Sequence, residues 1–209
     1  MGLKLLQEIF MLVKVIKKMI KLDDKDMRNL LLKKVGNYKD IKVFEEQTTP
    51  SGAARADVVI VSGHISGYEI KSDFDTLNRL NNQIAEYEKT FEKNIIVVGE
   101  KYAYNILEYI PEHWGVMVAR CKKKPTLTYM RTPVLNPNVE FKRILGLLSS
   151  EELKKIVIST NLNGVLNFTK TEIRLMFKQK LIDSLEKNMN KKEKKQLKML
   201  VRNQLKERP

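Results

Sequence analysis

A chain of 209 residues, 43% of them hydrophobic, with 9 glycines and 6 prolines, is long and apolar enough for one good core and an appended helical piece. Its 39 Lys and Arg against 25 Asp and Glu leave a net charge of +14, which favours a polyanionic partner, nucleic acid first. One cysteine, Cys121, excludes an intramolecular disulfide and a thiolate cluster; with His64 and His113 as the two histidines, carboxylates become the natural ligands for any metal, magnesium or manganese above all.

The first stretch, up to about residue 22, spaces apolar side chains at 5, 6, 9, 12, 13, 16, 19 and 20, the period of an amphipathic helix. Lys4, Glu8, Lys14, Lys17 and Lys18 interrupt it too often for a bilayer span, and no small-residue cleavage motif follows. A soluble, cytoplasmic chain without stable membrane insertion is expected, with this helix docked on the domain or on a partner. A second helix is predicted over about 25–35, capped by Asp23 or Asp24 and ending near Gly36-Asn37. A short strand over 41–45 reaches two adjacent acids, Glu45 and Glu46, and a loop follows.

Residues 55–73, RADVVIVSGHISGYEIKSD, read as a hairpin, with a β-branched strand, a turn around Gly63 to Gly67 and a return strand over 68–71. Period-two alternation puts Glu69 and Lys71 on one face of the return strand and Ile70 on the other. A helix is predicted over about 74–91, capped by Ser72 or Asp73, then a buried strand over 93–98, a short helix over 101–109, a strand over 114–119 and an edge strand over 126–132. This order predicts an α/β core with a mixed sheet. TPVLNPN then reads as a linker. Beyond it, Ser149/Glu152 and Thr169/Glu172 fit the capping-box pattern and predict helices from about 150 and 170, with a third over roughly 190–207. From Lys142 to Arg208 there are 17 basic and 7 acidic residues. The expected organisation is an N-terminal helix over 1–22, a core over 23–133 and a basic helical region over 134–209.

If Asp57 pairs near Glu69, two carboxylates and an ammonium converge at one end of the hairpin. Such a set suits a divalent cation and a polarised water: Asp57 and Glu69 as ligands, Glu45 or Glu46 as a third carboxylate, the Ile70 carbonyl as a further donor, and Lys71 beside a scissile phosphate. The same residues also fit a plain surface ion-pair cluster.

The strand aspartate followed by Glu-x-Lys and a helix resembles the PD-(D/E)xK phosphodiesterase superfamily, with Ala56 in place of its usual proline. The longer string FEE (44–46), RADVVIVSGHISGYEIKSDFDTLNRLNNQ (55–83), IIVVGE (95–100) and PEHWGV (111–116) resembles a small bacterial and phage family of that superfamily, named after a myxobacterial prototype. The resemblance runs from about residue 26 to 208. It implies a restriction-endonuclease-like sheet flanked by helices with a helical C-terminal extension, and a Mg²⁺- or Mn²⁺-dependent deoxyribonuclease. Asp57, Glu69 and Lys71 match the catalytic set, with Glu46 preferred over Glu45 as the upstream acid. Gln83 and Tyr87 resemble the supporting Q-x3-Y helix motif of RecB-type nucleases.

Arg55, Ser72, Arg79, Tyr87 and the triplet Lys122, Lys123 and Lys124 are the expected nucleic-acid contacts, positioning the backbone rather than reading sequence. His64, in the hairpin turn, is not expected to be a ligand. The alternative reading is a catalytically silent nucleic-acid-binding or scaffolding protein that keeps the nuclease fold. The terminal helices could also hold a second copy or another protein.

Overall fold

The computed structural model describes residues 21–209, so the amphipathic helix expected over 1–22 lies almost wholly outside the described residues. Six strands form one mixed sheet in chain order: β1 (Lys42–Thr48), β2 (Arg55–Val61), β3 (Ile65–Lys71), β4 (Lys93–Val98), β5 (Gly115–Cys121) and β6 (Pro125–Arg131). β1 to β3 are an antiparallel meander, β4 and β5 are parallel, and β6 returns antiparallel along the edge. An α/β architecture with a mixed sheet, flanking helices and C-terminal helices is therefore present, as the alternation of patterns predicts. The described residues pack as two compact units.

One unit comprises the described residues up to Lys39, Glu69–Asn78 and Ile95–Pro133. In it, helix α1 (Asp24–Val35) is capped by the Asp23 carboxylate, which accepts the Asp26 N–H at 2.8 Å. Its buried stripe Met27, Leu31 and Val35 recurs every four residues, and the helix packs against β6. The helix expected from 74 begins only at Leu80. Ser72 donates its N–H and its hydroxyl to Asp75 Oδ2 at 2.7 and 2.6 Å, and the Asp75 carbonyl accepts from Lys101 Nζ at 3.0 Å and from the Tyr102 hydroxyl. Side chains that bond the local backbone hold a turn in competition with a helix, and here the turn wins. The helix expected over 101–109 is likewise two single 3₁₀ turns, Glu100–Tyr102 and Ile106–Glu108.

The other unit comprises Asp40–Tyr68, Arg79–Asn94 and Val134–Pro209. Helix α2 (Leu80–Thr90) ends on the segment read as a linker. Asn136 is buried there, and its amide donates to the carbonyls of Glu88 at 2.7 Å and Phe91 at 2.8 Å, satisfying acceptors that a helix C-terminus leaves open. Six helices follow: α3 (Phe141–Gly146), α4 (Ser150–Ser159), α5 (Leu162–Val165), α6 (Lys170–Leu175), α7 (Lys178–Asn188) and α8 (Lys191–Lys206). Both predicted capping boxes form, on α4 and α6, and Asn190 with Glu193 makes a third on α8. α8 buries Leu197, Val201 and Leu205, again every four residues, and touches β2 and α3. Gly67 lets β3 run against the Phe91 ring, which a Cβ at that position would overlap. No described helix is long and apolar enough to cross a membrane.

Candidate nucleic-acid interface

Glu69 and Lys71 share a face of β3, as the alternation predicts, and Lys71 Nζ lies 2.7 Å from Glu69 Oε1 with both side chains buried. Ile70 is buried too. The mutual pairing of two buried charges is what holds them there, since neither could be desolvated alone without a large penalty. The Lys71 carbonyl accepts the Gly99 N–H at 2.9 Å, and Ser72 is committed to its turn with Asp75.

In the other unit, the β1–β2 ladder runs Glu45 against Val58 and Gln47 against Ala56. Between them Glu46 adopts φ 54°, a left-handed conformation that non-glycine residues rarely take. That twist breaks strand alternation, so Glu45 and Glu46 are both exposed. Glu46 Oε2 meets Arg55 Nε at 2.8 Å in a solvent-exposed pair of the kind worth about 0–1 kcal/mol. Asp57 lies half-buried on β2. The Tyr87 hydroxyl donates to the Arg55 carbonyl at 3.3 Å, while its buried ring meets Phe91 edge-on at 5.1 Å. Tyr87 is thus a packing residue first. Gln83 is half-buried one turn before it, and Arg79 is exposed at the start of α2. In the first unit Lys122, Lys123 and Lys124 stand exposed at the β5–β6 turn.

Among the described residues, no group of three or more His, Cys, Asp or Glu side chains is placed to hold a metal ion. Sequence separation sets where carboxylates can go along strands; it does not set whether their oxygens converge.

A different cluster does converge. One face of α8, from Lys191 to Arg202, lines a cleft of about 440 Å³ with Lys191, Lys194, Lys195, Lys198 and Arg202, and His64, Phe141 and Glu92 lie in the same lining. The five cations recur along one helical face, next to the stripe that α8 buries. At the floor, Glu92 is 4% exposed and accepts Arg202 Nε at 2.9 Å, Arg202 Nη2 at 2.7 Å and the Ile65 N–H at 3.0 Å, with Lys198 Nζ 3.7 Å away. Burial alone would raise the Glu92 pKa, but the Arg202 and Ile65 hydrogen bonds and the two nearby cations outweigh it and hold it below the ordinary glutamate value. Burial also lowers the His64 pKa; Glu92 opposes this, while Lys93, Arg202 and Lys198 reinforce it. Sequence reasoning missed Glu92 and Arg202, which meet across 110 residues; the lysine periodicity of α8 could have signalled only the charged face.

Comparison with known proteins corrects the resemblance read from the motifs. The family model of bacteriophage P4 protein cII matches residues 14–208. Protein cII of Enterobacteria phage P4 is 34% identical over 86 residues, 41% of this chain and 33% of that protein, so the matched stretch spans a third of the relative's length. The solved structure of the SPO1766 protein of unknown function from Silicibacter pomeroyi is 18% identical with a TM-score of 0.37, covering 52% of this chain and 68% of that one. The family match and the missing carboxylate cluster overturn the expectations of PD-(D/E)xK membership, of metal-dependent phosphodiester hydrolysis and of a deoxyribonuclease. The chain belongs to the bacteriophage P4 protein cII family.

Proposed function

We propose that this chain binds nucleic acid through the phosphate backbone and does not hydrolyse it. One observation carries the reading: positive charge is concentrated on α8, whose opposite face is buried. α8 buries Leu197, Val201 and Leu205 and carries seven basic residues against one acidic, with Lys191, Lys192 and Lys195 exposed. Cations arranged this way neutralise phosphates and release counterions on binding, without needing base contacts. The exposed Lys122–Lys124 turn and Arg55 and Arg79 are further candidate backbone contacts. In this reading the sheet is of restriction-endonuclease-like type, and Glu69 and Lys71 serve as a buried structural pair.

The test is binding of labelled single- and double-stranded oligodeoxynucleotides, followed by fluorescence anisotropy from low to moderate salt, with EDTA and with Mg²⁺. The expected result is affinity that falls linearly on a log–log plot against salt, unchanged by EDTA, with the DNA intact. Absence of binding at low salt, or cleavage that requires the metal, would refute the proposal.

A further inference from the structure

We propose that the α8 cleft is the phosphate-binding site, seating a backbone phosphate between the Arg202–Lys198 floor and the Lys191 and Lys195 rim. This rests on the nucleic-acid-binding reading above and names where the backbone sits. The cleft sets five cations against one carboxylate, and that carboxylate is already spent on the floor. Glu92 receives two of the five N–H groups of Arg202 and clamps the guanidinium, leaving three donors in a fixed plane. An arginine held in this way is preorganised for an oxyanion, because its rotamer entropy has already been lost. At the rim Lys194 is engaged with Glu186 at 2.6 Å, whereas no ion pair joins Lys191 or Lys195 to a carboxylate among the described residues. Both are exposed on the first turns of α8, where backbone N–H groups add a favourable field for an anion.

A phosphate could come from a nucleic-acid backbone or from a free nucleotide, and the backbone is the source proposed. The test compares K191E/K195E with K25E/K33E, which makes the same change in net charge at exposed positions of α1. Both positions are exposed and Lys191 lies in the first turn of α8, where glutamate is favourable, so K191E/K195E should fold; far-UV circular dichroism checks this. Anisotropy with a labelled oligodeoxynucleotide is measured across a salt series, and ATP is titrated in parallel.

If the cleft seats the backbone, K191E/K195E loses at least tenfold in affinity at low salt. Its log K against log salt slope becomes shallower by about 1.8, two phosphate contacts at about 0.9 each, while K25E/K33E keeps the wild-type slope. Equal losses in both double variants would make the effect one of net charge and overturn the site while leaving nucleic-acid binding standing. Unchanged binding in K191E/K195E would do the same. Binding of ATP that K191E/K195E abolishes, without oligonucleotide binding by the wild type, would assign the cleft to a free nucleotide and overturn both readings.

Discussion

Replacing Glu92 by glutamine tests whether the cleft floor is as tightly built as its distances imply. The carboxylate accepts three N–H donors, two from Arg202 and one from Ile65, inside a site that leaves it 4% exposed. A glutamine oxygen can keep one or two of these bonds, but its NH₂ must then face a donor and the negative charge is gone. Hydrogen bonds to charged groups contribute about 1.5–3 kcal/mol each, and breaking a buried ion pair costs about 3–5 kcal/mol. Arg202 can turn partly towards water, its side chain being 17% exposed, so the lower end applies: about 3 kcal/mol for E92Q at pH 7.

The pH dependence supplies a signature that a merely packing role would not. Because the folded-state pKa of Glu92 is depressed, its contribution is present above the unfolded value near 4.5 and is lost as pH falls through the lower folded value. The gap between wild type and E92Q should therefore be constant from pH 7 to about 5 and shrink below the unfolded value. Urea unfolding followed by far-UV circular dichroism at a series of pH values measures both. A gap under about 1 kcal/mol at pH 7, or one that persists unchanged below the folded pKa, would refute the account of Glu92 as the charge that holds Arg202.

Four further outcomes are expected. Glu152, held at about 2 by the Arg208 fork at 2.8 and 2.6 Å and by the Ser149 N–H, should stabilise the fold above pH 4.5 and lose that contribution towards pH 2; R208M should flatten this part of the acid-unfolding profile. Val201→Ala, in the buried stripe of α8, should lower the urea midpoint by the equivalent of about 1–3 kcal/mol without changing the salt slope of nucleic-acid binding. Gly67→Ala should destabilise by about 1–3 kcal/mol in thermal unfolding, because the new Cβ meets the Phe91 ring. Chelating divalent metal should leave the thermal midpoint unchanged, as expected where no described carboxylate cluster holds an ion.

The sequence by itself determined most of the secondary structure and the sign of the electrostatics. The β-branched run of β2, the capping boxes on α4 and α6, and the lysines along α8 are local signals, and local physics realises each of them. It also put Glu69 and Lys71 on one strand face. Only the tertiary structure decided the rest. Glu46 leaves strand alternation by a left-handed twist that no pattern announces, and Asp75 draws Ser72 into a turn where the apolar stripe predicts a helix. Lys71 pairs with Glu69 in the interior and Arg55 with Glu46 at the surface, and among the described residues no carboxylate cluster is placed to hold a metal. Glu92 and Arg202, 110 residues apart, meet at the floor of the cleft. No spacing rule connects them, because the contact exists only once α8 has packed against the β3–β4 connection within their shared unit. The lysine run on α8 was legible as a charged helix face; that it lines a cleft with a clamped arginine at its floor depended on that long-range packing.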